Sequence, residues 1–238
     1  MLTFNLDELV RYSRQMLLPE VGIEGQEKLK CAKVLVIGAG GLGCPVLQYI
    51  AAAGIGTIGI VDFDTIAVHN LHRQILYTNA DVGKQKAPIA AEKIKQSNPN
   101  INCIVFDEKL TIENAAGIIS QFDIVIDGSD NFATRYLVND TCVKVRKPLV
   151  YGTILKFDGQ VAVFNFNGSK NLRDIYPEPP NPEDVPNCDE NGVLGVVPGI
   201  IGMMMCDHVL KIVLGLPINI NTLLLVDLGS YTVRKLAY

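Results

Sequence analysis

The chain has 238 residues, of which 48% are hydrophobic and 19% are charged, and its formal net charge is −4 at pH 7. These values are typical of a globular protein with one large domain or two small ones. The slightly acidic balance provides no broad basic face, so we expect no nucleic-acid partner. Glycine, proline or charge interrupts the apolar runs before they reach the length of a membrane span, so we expect no membrane partner.

The cysteine pattern favours a reducing compartment. The six cysteines show no C-x-x-C pair and no regular spacing, and they are Cys31, Cys44, Cys103, Cys142, Cys188 and Cys206. Disulfide-stapled secreted domains look different. Residues 1–7 have neither the basic start nor the apolar core of a signal peptide. We therefore expect a cytoplasmic protein.

Through residue 153 the apolar periodicity predicts alternating helices and strands. Predicted helices cover residues 6–17, 26–30, 42–53, 87–97, 112–120 and 132–145. Predicted strands cover residues 34–37, 57–61, 102–106, 123–126 and 149–153. Residues 65–86 form a long polar stretch with little periodicity, which is typical of a functional loop. The alternation predicts a parallel, doubly wound sheet with right-handed crossovers.

After residue 155 the pattern changes. We predict an antiparallel strand at 159–166, a mobile loop at 167–187, a helix at 196–214 and a hairpin at 223–236. The chain is therefore predicted to be a single domain over residues 1–238 with an α/β, Rossmann-like doubly wound sheet. Its parallel half, residues 1–155, binds a nucleotide, and its mixed half, residues 156–238, continues the same sheet with antiparallel strands.

The loop at residues 38–43 predicts a nucleotide site. Gly38, Gly40 and Gly43 follow the G-x-G-x-x-G spacing between a strand and a helix. The glycines permit a tight turn and close approach to a phosphate, and the helix amides attract negative charge. Asp62 follows the next strand, where a carboxylate can accept hydrogen bonds from ribose. On this spacing alone the nucleotide could be a dinucleotide, and the loop could also be a structural turn.

Charged residues that follow other strands indicate which nucleotide is bound. Arg73 and Lys86 supply positive charge for a polyphosphate. Asp130 supplies a hard oxygen ligand for Mg²⁺. Together they favour ATP with Mg²⁺ over NAD, and the sequence has no Walker-type G-x-x-x-x-G-K-[ST] motif. Taken singly, Arg73 and Lys86 could be solvated surface charges, and Asp127 or Asp130 could cap the helix from residue 132.

Several motifs in order carry a resemblance to a known family. They are RYSRQ at 11–15, GAGGLG at 38–43, DFD at 62–64, NLHRQ at 70–74, GKQK at 83–86, DGSDN at 127–131 and GVLG at 192–195. The chain resembles the ThiF, MoeB and HesA type of adenylyltransferase, which is related to ubiquitin-activating enzymes. Such enzymes adenylate the C-terminal glycine of a small ubiquitin-like sulfur-carrier protein ending in Gly-Gly and release pyrophosphate, for molybdopterin or thiamine synthesis. The resemblance implies that residues 156–238 contact the carrier.

The resemblance also implies roles for matching residues. ATP contacts are implied for Gly38, Gly40, Gly41, Leu42, Gly43, Asp62, Asp64, Asn70, Arg73, Gln74, Lys86, Asp127 and Asn131. Arg73, Lys86 and Asp130 are implied to be catalytic, with Asp130 as the Mg²⁺ ligand. Arg14 is implied to reach the neighbouring subunit's site, which predicts a homodimer. Cys188 matches a loop cysteine that some members use for sulfur or thioester chemistry and others do not need.

The chain departs from the family at a metal site. Many members hold zinc with one C-x-x-C pair before the proline-rich loop and another near the C terminus. Here residues 169–174 read SKNLRD, and the sequence ends at Tyr238 without a second pair. We therefore expect no zinc site and a looser loop at 167–187. No sulfurtransferase domain is recognised, so sulfur would come from a separate donor protein.

The sequence leaves other functions open. An enzyme of the same family that adenylates a small molecule or peptide, or acts on a modified nucleoside, would carry the same nucleotide motifs. An NAD-linked oxidoreductase would share the glycine loop, although Arg73, Lys86 and Asp130 argue against it. A catalytically silent binding module would be expected to lack Arg73 and Asp130.

Overall fold

A computed structural model of the chain describes residues 4–180 and 192–238. The helices are α1 (Leu6–Met16), α2 (Gly22–Cys31), α3 (Gly43–Ala53), α4 (Lys86–Ser97), α5 (Ala115–Ile119), α6 (Phe132–Val145), α7 (Leu172–Ile175) and α8 (Val196–Leu214). The strands are β1 (Lys33–Ile37), β2 (Thr57–Val61), β3 (Asn102–Phe106), β4 (Ile124–Asp127), β5 (Leu149–Leu155), β6 (Asp158–Phe164), β7 (Thr222–Asp227) and β8 (Thr232–Ala237). Two 3-10 turns, Val68–Asn70 and Asn79–Asp81, lie in the loop between β2 and α4.

The strands form one mixed sheet in the order β3-β2-β1-β4-β5-β6-β7-β8. Neighbouring strands are parallel from β3 to β5 and antiparallel from β5 to β8. The predicted fold class, a parallel half continued by an antiparallel half, is confirmed. The chain first moves from β1 to β2 and later returns to β4 on the other side of β1. This switch point is where open α/β sheets form their ligand clefts.

Both faces of the central strands are covered. Val34 and Val36 of β1 belong to a core cluster that includes residues of α3, α4 and α8. Leu35 and Ile37 point the other way and belong to a cluster with α5 and α6. Parallel strands buried on both faces read as continuous apolar runs. This explains why residues 34–37 show no polar alternation.

In the described part of the chain, one helix, α8, is long and apolar enough to cross a membrane. It packs instead against α3, β5 and β6 and covers one face of the antiparallel half. Ile201 and Met205 are completely buried. Glycines permit the close approach, since a Cβ atom at Gly202 would lie 2.8 Å from Pro45 of α3. Packing inside this fold buries 44% of this span, which accounts for part of its apolar composition.

Helix α2 starts earlier than predicted. The sequence predicts a helix only at residues 26–30, because Gly22 and Gly25 interrupt the apolar pattern, but α2 begins at Gly22. A Cβ atom at Gly25 would lie 2.9 Å from Leu214, the last residue of α8. Here glycine serves close helix packing, and not helix termination.

The predicted loop at residues 167–187 contains regular structure in its described part. Residues 172–175 form α7, whose N-cap residue Asn171 accepts a hydrogen bond from the amide of Arg173. The Arg173 guanidinium also forms two 2.8 Å hydrogen bonds with Asp140 of α6. Residues 181–187 lie outside the described residues.

Candidate active site

A cleft of about 1260 Å³ opens at the carboxyl ends of the parallel strands and extends over β5 to β7. Pockets for one small ligand usually measure about 300–1,000 Å³, so this cleft has room for a nucleotide and part of a second substrate. The predicted site residues that line it are Gly38, Gly40, Gly41, Leu42, Asp62, Asp64, Arg73, Gln74, Lys86, Asp130 and Asn131. Gly43, Asn70, Asp127 and Arg14 are not among its lining residues. Cys188 lies outside the described residues.

At Gly38 and Gly43, backbone contacts of the glycine loop leave no room for a side chain. Gly38 has φ +87°, and a Cβ atom there would lie 2.9 Å from the carbonyl oxygen of Gly128. A Cβ atom at Gly43 would overlap the carbonyl oxygen of Gly38. Helix α3 therefore starts directly against the end of β1. Its first turn carries no acidic residue. The amide of Cys44 is hydrogen-bonded to the carbonyl oxygen of Gly40 and Pro45 has no N–H, so an anion at this helix start would be met by the amides of residues 41–43.

Asp62 fixes this loop to the end of β2. Its Oδ2 accepts a 2.7 Å hydrogen bond from the amide of Ala39, and its Oδ1 accepts a 2.9 Å bond from the amide of Asp64. Burial raises the pKa of Asp62, and the nearby charge of Lys86 opposes that rise. An ionised carboxylate has about four acceptor positions. Asp62 therefore retains capacity for ribose hydroxyls while it holds the loop.

Lys86 places a nearly buried positive charge at the cleft. Its side chain is 7% exposed, and its Nζ lies 2.9 Å from Oδ2 of Asp64. Its backbone amide also donates a 2.9 Å hydrogen bond to the carbonyl oxygen of Asp64. A buried ammonium group needs such a partner. Asp64 thus holds the Lys86 ammonium group at the cleft.

Arg73 lies beside the glycine loop. Its Nη1 donates a 3.2 Å hydrogen bond to the carbonyl oxygen of His69 and lies 2.9 Å from Nε2 of His72. A Cβ atom at Gly41 would lie 3.6 Å from the Arg73 side chain. The Arg73 side chain therefore lies within van der Waals distance of the glycine loop at position 41.

Asn70 shapes the turn that carries Arg73. Its Oδ1 accepts a 3.1 Å hydrogen bond from the amide of Ala67. Its carbonyl oxygen accepts hydrogen bonds from the amides of Arg73 and Gln74, at 3.1 and 2.9 Å. In the described structure the Asn70 side chain therefore serves the loop, and a direct nucleotide contact by Asn70 remains a prediction.

The two ends of the loop at residues 65–86 are joined. Thr65 and Gln85 form an isolated antiparallel bridge. Within the loop, the Asp81 carboxylate accepts hydrogen bonds of 2.9 Å from the amide of Thr78 and 2.7 Å from its Oγ1. Asp81 also lies 3.0 Å from Nζ of Lys93. The Thr78 side-chain hydrogen bond is the main reason that the pKa of Asp81 lies well below its usual value.

We expect the Asp81→Asn variant to lower Tm by a few degrees at pH 7. Because the pKa of Asp81 is lowered in the folded state, its stabilisation is present above the unfolded-state value of about 4 and is lost as the pH falls through the folded-state value. The Tm difference should therefore shrink below about pH 4, as thermal denaturation at a series of pH values can show. Asp207→Asn, which removes an exposed i,i+4 ion pair with Lys211, is the control and should have little effect. An unchanged Tm difference at low pH would contradict this account.

The turn after β4 separates two carboxylates. Asp127 is fully buried, and its Oδ1 accepts hydrogen bonds from the amide and Oγ of Ser129, at 2.9 and 2.6 Å. Burial raises the pKa of Asp127, and the charge of Arg135 opposes the rise. Asp130 is exposed at the cleft and accepts a long, 3.4 Å hydrogen bond from Asn131. Asp127 thus shapes the turn, and Asp130 faces the cleft.

Helix α6 is capped by an asparagine and by neither of the two aspartates before it. Asn131 is the N-cap residue, and its Oδ1 accepts a 2.9 Å hydrogen bond from the amide of Thr134. Neither Asp127 nor Asp130 caps the helix. The alternative interpretation of Asp127 or Asp130 as the cap of this helix is therefore wrong. The Asp130 carboxylate is left available for a ligand.

Arg14 lies far from the cleft of its own chain. It is exposed on α1, whose Tyr12 accepts a hydrogen bond from Asn98 and lies against Gly54 at the end of α3. The glycine loop is at the other end of α3, which has 11 residues and is therefore about 16 Å long. Arg14 is thus at the opposite end of the sheet, and if it acts on a cleft, that cleft belongs to another subunit.

A family model described as the ThiF family matches residues 12–238. The chain belongs to the ThiF family. The "Sulfur carrier protein adenylyltransferase" of Thermus thermophilus is 50% identical to this ThiF-family chain, over 97% of this chain and 87% of the relative. The "Adenylyltransferase and sulfurtransferase MOCS3" of Danio rerio is 48% identical, over 97% of this chain but only 50% of the relative. The chain therefore spans about half the length of that relative.

Solved structures of low sequence identity share the fold of this ThiF-family chain. A crystal structure of E. coli MccB with ATP has a TM-score of 0.83 and 21% identity, and it covers 95% of this chain and 71% of that one. A crystal structure of PaaA has a TM-score of 0.84 and 21% identity, and it covers 98% of this chain and 74% of that one. At this identity the likeness supports the fold alone.

Sequence reasoning missed some residues of the ThiF-family cleft. Arg135, Tyr151 and Tyr136 line it, but none belongs to a motif that indicates a ligand. The Arg135 guanidinium carbon lies 5.2 Å from the centre of the Tyr151 ring. The two residues come from α6 and β5, so only the folded sheet brings them together. An arginine three or four residues into a predicted helix carries no signal of burial.

Asp130 is the carboxylate of the cleft that was predicted to bind Mg²⁺. Among residues 4–180 and 192–238 no group of three or more His, Cys, Asp or Glu side chains is arranged to hold a metal ion. Mg²⁺ usually binds through one or two carboxylates and completes its shell with substrate phosphates and water. The exposed carboxylate of Asp130 fits that mode, and the expected absence of zinc stays a prediction.

Proposed function

We propose that this ThiF-family protein is an adenylyltransferase that uses ATP to activate the C-terminal carboxylate of a ubiquitin-like sulfur carrier ending in Gly-Gly, in molybdopterin or thiamine synthesis. The observation that carries the proposal is the grouping of Arg73, Lys86 and Asp130 around the glycine loop in one cleft. The name and the extent of the match to the Thermus relative support the carrier as substrate.

The residues suit this chemistry because it needs no general base. A carboxylate is already a nucleophile at neutral pH, and its oxygen attacks the α-phosphorus while the bond to the β-phosphate oxygen breaks and pyrophosphate leaves. The enzyme must hold the reactants in line and offset the negative charge of the transferring group. Lys86 and Arg73 provide positive charge beside the glycine loop. When bound at Asp130, Mg²⁺ would neutralise phosphate charge.

The cleft beyond the nucleotide region suits an extended peptide tail. One of its walls is formed by β5 to β7, with Thr153, Gln160 and Leu225 among the lining residues. Another includes Ile175, the last residue of α7, and Tyr176, which follows it. A carrier tail in this part of the cleft would bring its terminal carboxylate toward the glycine loop. This supports a carrier-binding role for residues 156–238.

The outer face of α1 supports the proposed homodimer. Leu6, Val10 and Leu17 lie on this face and are 76%, 69% and 74% exposed, whereas the inward face buries Glu8 and Tyr12. Soluble chains seldom expose such a row of aliphatic side chains without a partner. Arg14 is on the same helix, so a second copy of the chain packed against this face would have Arg14 of the first copy close to its surface.

The subunit that Arg14 serves can be tested by complementation. We expect the Arg14→Ala and Asp130→Ala homodimers each to lose almost all activity. If Arg14 acts across the interface, a mixed dimer regains one complete site, so co-refolded equimolar mixtures should recover about a quarter of wild-type pyrophosphate exchange, from the roughly half of the dimers that are mixed. A mixture of Asp130→Ala with Arg73→Ala is the control and should recover nothing, because both residues belong to the same site. No recovery in the first mixture would contradict the assignment.

The proposed function is tested by carrier-dependent exchange of labelled pyrophosphate into ATP. Candidate carriers with an intact Gly-Gly end should support exchange, and the same carriers without the last glycine should not. Exchange without any carrier, or only with a free peptide or small molecule, would favour the other adenylating activities of the family. We also propose a separate sulfur donor protein and a cytoplasmic location. Reaction at Cys188 is a separate question, which mass spectrometry for a Cys188 adduct would answer.

A further inference from the structure

Arg135 is a nearly buried arginine at the base of the cleft. It lies in the first turn of α6 and is 5% exposed. Its Nη1 donates a 2.8 Å hydrogen bond to the carbonyl oxygen of Gly152, and its Nη2 donates a 2.7 Å bond to the carbonyl oxygen of Ser129. One planar guanidinium therefore joins two separate backbone segments. Removing a charge from water in this way needs a strong structural or functional reason.

The bridge lies where two neighbouring strands separate. Strand β4 ends at Asp127, which is paired with Tyr151 of β5. Gly152 is the next residue of β5, and Ser129 follows in the turn after β4. Beyond Asp127 the strands no longer pair with each other, so Arg135 supplies the donors that connect them. The turn that carries Asp130 is thereby tied to β5 as well as to β4.

Two further contacts restrict the movement of the Arg135 guanidinium and of Ser129. The Arg135 guanidinium lies 5.2 Å from the centre of the Tyr151 ring, which restricts its tilt. From the other side, the Asp127 carboxylate accepts two hydrogen bonds from Ser129, the residue whose carbonyl Arg135 holds. Asp130 is the next residue after Ser129, and among the described residues its side chain is held by a single long contact, 3.4 Å from Nδ2 of Asn131. Its location thus depends on how firmly Ser129 is held.

We propose that Arg135 is a positioning residue, which sets the place of the Asp130 carboxylate relative to the glycine loop by bridging Ser129 to Gly152. The proposal rests on the proposed function in taking Asp130 as the Mg²⁺ ligand. Arg135 itself need not touch the nucleotide. Partners that orient a metal ligand commonly matter by about 10- to 100-fold in metal affinity or activity.

The test compares Arg135→Met, Arg135→Lys and a matched control. Lys144→Met removes a positive charge from the exposed end of the same helix and should behave as wild type. ATP binding is measured by calorimetry across a series of Mg²⁺ concentrations, without any carrier. We expect Arg135→Met to raise the Mg²⁺ concentration for half-maximal binding by about tenfold or more, whereas ATP binding without Mg²⁺ changes little. Backbone amides of residues 128–131 should also exchange hydrogen faster in the unliganded variant.

The lysine variant separates the bridge from the charge. An ammonium group keeps the positive charge but cannot hold two carbonyl groups with a planar fork, so Arg135→Lys should retain a raised Mg²⁺ requirement. Wild-type Mg²⁺ dependence in the folded fraction of Arg135→Met would overturn the proposal, and so would the same result for Arg135→Lys if the methionine variant does not fold. If wild type binds Mg·ATP but shows no carrier-dependent exchange, the proposed function fails, while the binding measurements still decide the role of Arg135.

Discussion

Replacing Asp130 with alanine should reduce carrier-dependent ATP–pyrophosphate exchange by about a thousandfold, because the largest single losses of transition-state stabilisation are of this order. Asp130 is the exposed carboxylate of the turn after β4, it lines the cleft, and it does not serve as a helix cap. Its removal should leave the fold intact, since its one described hydrogen bond is the long contact with Asn131. Arg73→Ala should lose a similar factor, because it removes positive charge beside the glycine loop.

The matched control for the aspartate is Asp107→Ala. Asp107 is an exposed carboxylate that follows β3 at the same edge of the sheet but does not line the cleft. The Asp107→Ala variant should retain the wild-type rate of pyrophosphate exchange. Asp107→Ala, Asp130→Ala and Arg73→Ala should all keep the wild-type Tm within a few degrees. Full exchange by Asp130→Ala or by Arg73→Ala would remove that residue from the proposed machinery.

Replacing Gly43 with alanine should have the largest effect on folding and nucleotide binding together. The added methyl group would overlap the carbonyl oxygen of Gly38, which belongs to the backbone between β1 and α3. Overpacking usually costs about 1–3 kcal/mol, and a clash between a Cβ atom and a backbone carbonyl cannot be relieved by changing a rotamer. We expect Tm to fall by about 10 °C and ATP binding to be lost, as thermal denaturation and calorimetry can measure.

Gly117→Ala provides the control for this substitution. Gly117 lies in α5, and among the described residues no atom outside its own stretch of helix lies within 4 Å of the position that its Cβ would take. The alanine variant should therefore be neutral or slightly more stable, since alanine loses less backbone freedom on folding. If Gly43→Ala were as stable as Gly117→Ala and still bound ATP, the tight start of α3 would not be required.

The parallel half could be predicted because its signals are local. The apolar strands, the glycines after β1 and the alternation with amphipathic helices all lie within short windows of sequence. The change from parallel to antiparallel strands was also predictable, because residues 159–166 alternate after a turn. The start of α2 was not, since the reason for Gly25 is the end of α8, which lies far away in the chain.

The site was predictable to the extent that its residues follow strands. Asp62 and Asp130 follow β2 and β4, and parallel strands bring their carboxyl ends together. The sequence could not predict that Asp127 is buried in the turn while Asp130 faces the cleft, because this depends on burial and on which side chain caps α6. Arg135 was missed for the same reason, as its partners Ser129 and Gly152 meet only when β4 and β5 pair.

The most direct test of the central claim is mass spectrometry of the carrier after incubation with the enzyme, ATP and Mg²⁺, in the absence of a sulfur donor. We expect the carrier to gain one adenylyl group, located on the carboxylate of its last glycine. The Asp130→Ala enzyme and a carrier without that glycine should each give no adduct. An adenylyl group at any other position of the carrier, or no adduct with wild-type enzyme that binds ATP, would show that the protein does not activate the carrier's C-terminal carboxylate.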